Sequence, residues 1–214
     1  MTEVVAVTHP ATPGLAKSAN VTAKAALVLL LVLALLYPEQ GNLRDKAAGL
    51  RAVGYPLLAF TVPLLWWTLW RDRMSFPWVP DLLITVTCFT DILGNRMDLY
   101  DTVVWFDDFM HFMNTGLLAV ALILLTLPHW SGPLRTVERA LAFGATSAIA
   151  WELAEYFAFI SRSSERRFAY GDTLGDLALG TAGAVVGGLA VYRLRQQGRL
   201  LDPPAVLPRD RVVA

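Results

Sequence analysis

Residues 100–116 read YDTVVWFDDFMHFMNTG, a string of acids and a histidine that runs straight into the apolar segment 117–127. An isolated charge at bilayer depth costs from about 3 kcal/mol upward. Asp107, Asp108 and His111, set among Phe106, Phe109, Met110 and Phe112, therefore require partners from elsewhere in the chain.

The chain has 214 residues, 55% of them hydrophobic and only 17% charged. Its mean hydropathy is +0.47, well on the apolar side of ordinary globular proteins. These values predict an integral membrane protein. Spanning a bilayer takes about 20 helical residues, and segments near that length recur close to 21–37, 48–70, 81–100, 105–127, 137–161 and 172–194. The expected fold is all-α, a polytopic bundle of about six transmembrane helices over residues 21–194. Flexible tails are expected over 1–20 and 195–214, where no helical period is visible or the chain is polar and Pro-bearing. The first apolar run is read as a retained helix rather than a secretory signal, because no small-x-small cleavage site follows residues 37–40 and further spans come after it. With 18 basic and 18 acidic residues the net charge is +0, which gives no field to attract nucleic acid. The single cysteine, Cys88, excludes an internal disulfide, a multi-cysteine zinc site or an iron–sulfur cluster.

The first two helices read as apolar scaffold. Pro56 and Pro63 are expected to kink the second, which ends in Trp66, Trp67 and Trp70 followed by Arg71 and Arg73, a membrane-boundary signature. The third is unusually polar, with Thr85, Thr87, Thr90, Asp91, Asn95 and Asp98. The sixth carries Gly180, Gly183, Gly187 and Gly188, small residues that permit close helix packing. Six spans put both termini on one side, and 11 of the 18 Lys/Arg fall on that side. The expected location is the inner (plasma) membrane, with both termini cytoplasmic.

Alternating helix direction then gathers the acids. The third helix reaches the outer side with Asp91, Asn95 and Asp98, and the fourth leaves it with Asp107, Asp108 and His111. The fifth reaches it with Glu152 and Glu155, and the sixth leaves it with Asp172 and Asp176. Offsets of three and four put Asp107 or Asp108 with His111, Glu152 with Glu155, and Asp172 with Asp176 on shared helix faces. So many carboxylates cannot all stay ionised without cations. Oxygen ligands with one imidazole suit a divalent ion, Mn, Mg, Ca, Zn or Fe. The expected ligands are Asp107, Asp108, His111, Glu152, Glu155, Asp172 and Asp176, with Asp91 or Glu155 as the acid that moves a proton. Two alternatives stand beside this one. The acids hold exchangeable protons in a transport pathway, or they are structural and paired with Arg96, Arg162, Arg166 and Arg167.

Asp107-Asp108-x-x-His111, Glu152-x-x-Glu155 and Gly171-Asp172-Thr173-x-x-Asp176 resemble the YjdF-type family of bacterial inner-membrane proteins. A looser similarity is to VanZ-like proteins, which are linked as a family to glycopeptide-antibiotic resistance, although Asp176 stands where those usually have Asn and Glu155 where they tend to have Gln. Neither resemblance implies a reaction. The leading functional expectation is a membrane metalloenzyme acting on a lipid or lipid-linked group at the outer leaflet. A proton- or cation-coupled transporter, or a VanZ-like resistance protein, is the rival from another class. A structural membrane protein is the third.

Overall fold

The computed structural model describes residues 14–37, 48–158, 160–162, 164–167 and 169–200. The expectations for residues 1–13, the connection over 38–47 and the tail over 201–214 lie outside them. The helices are α1 (Gly14–Leu36), α2 (Ala48–Ala59), α3 (Thr61–Leu65), α4 (Trp78–Arg96), α5 (Leu99–Thr102), α6 (Phe106–Thr126), α7 (Pro133–Ala158) and α8 (Ala169–Gln196). A π-helical turn, Trp66–Trp70, extends α3, and two short 3₁₀ turns join α7 to α8. No strand occurs among the described residues.

An all-α membrane bundle is what these helices build. By length and apolarity α1, α6 and α8 each suffice to cross a bilayer. A fourth candidate is α2 with α3 and its π-helical turn, taken as one span bent by 45°. The bend falls where the sequence puts it: Pro63 has no N–H to return to the Ala59 carbonyl, so the helical ladder is interrupted at Phe60. α4 and α7 have spanning length, 19 and 26 residues, but their polar content leaves them below that apolarity. Several boundaries differ from expectation by three to seven residues, and two of them bear on the fold. α1 begins at Gly14 rather than near Val21, so residues 14–20 are helix and not tail. α4 stops at Arg96, because Asp98 adopts a left-handed backbone (φ 60°) that an α-helix cannot continue.

The polar character of α4 follows its geometry. Asp81, Thr85, Cys88, Asp91 and Asn95 succeed one another at offsets of four, three, three and four, and all are buried. They form one inward face. The Thr85, Thr87 and Thr90 hydroxyls also donate back to the Asp81, Ile84 and Val86 carbonyls of their own helix. Apolar packing surrounds that face. Leu27, Leu31 and Ala34 of α1 meet Tyr55, Ala59, Cys88 and Ile92. Val62, Ile84 and Ala121 tie α3 to α4 and α6.

The other half of the bundle is α6, α7 and α8. Gly180, Gly183 and Gly187 continue the helix face that begins with Asp176, at offsets of four, three and four. A Cβ on Gly183 would collide with the Phe112 backbone, and one on Gly116 would sit 2.9 Å from the Gly183 carbonyl oxygen. α6 and α8 therefore touch backbone to backbone. At the opposite end from the acids, Arg195 of α8 donates to the Leu127 and Pro128 carbonyls at 2.9 and 3.2 Å, satisfying the C-terminus of α6.

This contact is testable. Gly183→Ala forces the two backbones apart and is expected to cost about 3 kcal/mol, seen as a fall of roughly 6–12 °C in the melting temperature in detergent. Gly175→Ala meets nothing within 4 Å and should melt at or above the parent temperature. Equal melting of the two variants would show that α6 and α8 are not in backbone contact.

Candidate metal centre

Asp107 and Asp108 open α6, where acids favour the unsatisfied N–H groups of the first turn. Helical phase separates them. Asp107 lies one turn before His111 and points along the same face, whereas Asp108 is exposed. His111 faces inward and receives carboxylates on both ring nitrogens. Its Nε2 is 3.5 Å from Asp107 Oδ1 and 3.7 Å from Asp176 Oδ1, and its Nδ1 is 3.7 Å from Glu152 Oε1. Asp107, His111 and Asp176 form one group of possible ligands, and His111, Glu152 and Glu155 a second, with the ligand atoms of each group within 4.8 Å of one another.

Two details bear on a cation. The side chains of Glu152 and Asp176 are 8% and 4% exposed. Glu152 Oε1 is also fully shielded from solvent and has no hydrogen-bond partner. A buried, unpartnered carboxylate oxygen aimed at an imidazole is costly unless a cation meets it. The donor set, carboxylate oxygens and one imidazole nitrogen on facing helices, fits a divalent ion. A neutral imidazole offers one nitrogen as ligand and donates from the other, so one group binds while the other orients the ring.

The adjoining half is organised differently. Asp91 of α4 accepts from Arg51 Nε at 3.2 Å, from Tyr100 at 3.0 Å, from Tyr55, and from Asn95 Nδ2 at 3.5 Å. The same guanidinium reaches Glu155 at 3.7 Å. Burial, and then the Asp91 charge, push the Tyr100 phenol well above the usual tyrosine range, so it remains a donor to that carboxylate. Trp151 stacks on Tyr55 with ring centroids 6.3 Å apart, fixing α2 against α7. Between the two halves lies a cavity of about 120 Å³. Its polar lining includes Asp107, His111, Asn114 and Glu155, and its apolar lining Leu58 and Leu118.

The structure thus brings Asp107, His111, Glu152, Glu155 and Asp176 together, with Asp91 across the cavity. Asp108 and Asp172 are exposed and belong to neither ligand group, although Asp172 is close enough to act electrostatically on Glu152 and Asp176. Of the expected arginine partners, the Arg162 side chain lies outside those described, and the others are not the ones found. No ion pair joins Arg96, Arg166 or Arg167 to these acids among the described residues, and Arg51 takes the role. The second helix is therefore not plain scaffold. Arg51 and Tyr55 are missed when residues 48–70 are read only for hydropathy. The signal was present, a charge inside a span with a tyrosine four residues on, and both need partners.

A family model described as "Predicted membrane protein (DUF2238)" matches residues 20–197. No curated protein and no solved structure matches the chain. The looser likeness to VanZ-like proteins finds no counterpart in these comparisons. The matched span covers every helix described above except the first turns of α1, and it takes in all the residues that carry the YjdF-type likeness. The chain belongs to this family of predicted membrane proteins.

Proposed function

We propose that this chain is a membrane metalloprotein that binds one divalent cation, Mn, Mg, Ca, Zn or Fe, between α6, α7 and α8, and acts on a lipid or lipid-linked group. The observation that carries the reading is Glu152 Oε1, buried without a hydrogen-bond partner beside His111. Charge count supports it. Asp91, Asp107, Glu152, Glu155 and Asp176 face Arg51 and His111, so carboxylates outnumber cations even when the imidazole is protonated. A bound divalent ion supplies Lewis acidity toward an ester or phosphoryl oxygen. The chain's own residues do the rest: Glu155, on the cavity wall and near His111, accepts or returns a proton. Leu58 and Leu118 exclude water around an apolar portion of the substrate.

A second reading has its own observation. Arg51 pairs with both Asp91 and Glu155, so that part of the cluster is a clamp between α2, α4 and α7 whatever the rest binds. In our reading Asp91 holds the clamp and Glu155 stands between clamp and cation. The transporter alternative draws on the bent second span.

We also propose that all six helical rods span the inner membrane: α1, α2 with α3, α4, α6, α7 and α8. Both termini then face the cytoplasm and the acid cluster lies toward the outer leaflet. The lipid bilayer is its surrounding partner, and nucleic acid is not expected to bind.

The cation reading predicts metal in detergent-purified protein by elemental analysis, near one ion per chain. His111→Ala and Glu152→Gln should lose metal and melting temperature together, and excess ion should partly restore both. Chelator-insensitive melting of the parent protein, combined with no metal after reloading, would sink the proposal. Arg51→Ala should behave differently, because it leaves buried carboxylates without their cation. It is expected to cost about 3–5 kcal/mol that added metal does not recover. For topology, single cysteines replace Asp72 and Arg167, both exposed, in Cys88→Ala protein. An impermeant thiol reagent applied to intact cells should label position 167 and spare position 72. The reverse pattern inverts the orientation.

A further inference from the structure

The Pro63 break does more than bend the second span. It leaves the Ala59 carbonyl without the N–H that would arrive from four residues on, and Lys24 of α1 donates to it. The same ammonium donates to Asp81 Oδ1 at 3.0 Å and to Thr85 Oγ1 at 2.6 Å, both on α4. Asn20 completes the group: its Nδ2 donates to Asp81 Oδ2 at 2.6 Å, and its Oδ1 lies 3.2 Å from the Thr85 hydroxyl. Asn20, Asp81 and Thr85 are essentially inaccessible to solvent. Phe60 lies beside the ammonium, with its ring centroid 5.2 Å from Nζ.

Three oxygens of different kinds, a helix-break carbonyl, a carboxylate and a hydroxyl, thus converge on one positive charge. Freed carbonyls beside an acid and a hydroxyl are what discontinuous membrane helices use to hold small cations. The occupant here is tethered to a helix at the edge of the bundle, since α1 packs chiefly on α4 and to a lesser extent on α2. The site lies near the opposite end of α4 from Asp91 and shares no residue with the metal centre.

We infer that the break in the second span is a site for a small monovalent cation of ammonium or potassium size, which the chain fills with its own Lys24 ammonium. The lysine makes the site a clasp between α1, α2 and α4. The oxygen cage does not depend on the lysine, so removing the ammonium opens it to a free ion.

The test uses full-length protein in detergent, melted in potassium, ammonium or choline chloride at matched ionic strength. The parent protein should melt at the same temperature in all three. Lys24→Ala should melt roughly 6–20 °C lower in choline, because Asp81 is left buried without its cation. Potassium or ammonium should return part of the loss along a saturating curve. Lys24→Gln keeps donors for the Ala59 carbonyl and supplies a folded variant with the same cation dependence if Lys24→Ala does not fold. In Lys24→Ala/Asp81→Asn the cation response should vanish. Recovery equal in choline, no recovery in any salt, or a Lys24→Ala protein as stable as the parent overturns the inference.

Discussion

Two backbones touch where α6 at Phe112–Gly116 meets α8 at Gly183, and the acid cluster depends on that contact. Lipid tails are as apolar as leucine, so helices in a bilayer gain little from burying apolar surface against each other. What holds them is the density of van der Waals contact, and that rises steeply when no side chain intervenes. The face of α8 that supplies this contact also carries Asp176, two turns before Gly183. Bringing the glycines against Phe112 therefore brings a carboxylate up to His111. Gly144 has the same function for α7, since a Cβ there would collide with Ala184. The small residues are as much a part of the centre as its charges, because they set the distance at which those charges meet.

Low dielectric gives each buried charge a long reach, and the bundle divides its charges accordingly. One cation is assigned to each demanding acid on α4: Lys24 to Asp81 and Arg51 to Asp91. Both pairs are completed by hydrogen bonds from neutral groups, Asn20 in one case and Tyr55, Tyr100 and Asn95 in the other. In such pairs each carboxylate oxygen receives at least one hydrogen bond, which offsets the cost of burying the charge. The α6–α8 side is not completed in that way. There one imidazole stands among three carboxylates on its two nitrogens, and one of their buried oxygens, Glu152 Oε1, has no hydrogen bond. The contrast between completed and incomplete pairs, within one molecule and one solvent, separates the clamps from the candidate site.

Much of this was legible in the sequence. Hydropathy gave the helical rods, and alternating direction gave the end at which the acids gather. Offsets of three and four gave His111 with Asp107 and the pairing of Glu152 with Glu155. The choice between Asp107 and Asp108 was not legible, because both stand at helical spacing from His111 and only the true phase of α6 turns one of them outward. The exposure of Asp172 was not legible for a related reason, since the phase of the first turn of α8 turns it outward while Asp176, one turn on, faces the interior. Arg51, Lys24 and Asp81 were hidden by their surroundings. Lys24 and Arg51 sit in segments apolar enough to pass as plain scaffold, where hydropathy averaged over a span dilutes a single charge, and Asp81 opens the polar third segment at the end away from the gathered acids. The rule that a charge inside a span requires a partner would have found all three.

α4 is one unbroken helix with both ion-paired acids on one face, ten residues and therefore about 15 Å apart along its axis. A rod turns as a whole. Any twist of α4 that carries Asp81 away from Lys24 also carries Asp91 away from Arg51, and with Asp91 goes one wall of the cavity beside His111. A disturbance at one ion pair thereby becomes a mechanical disturbance at the other, with no intervening chain of contacts needed beyond the stiffness of a single helix.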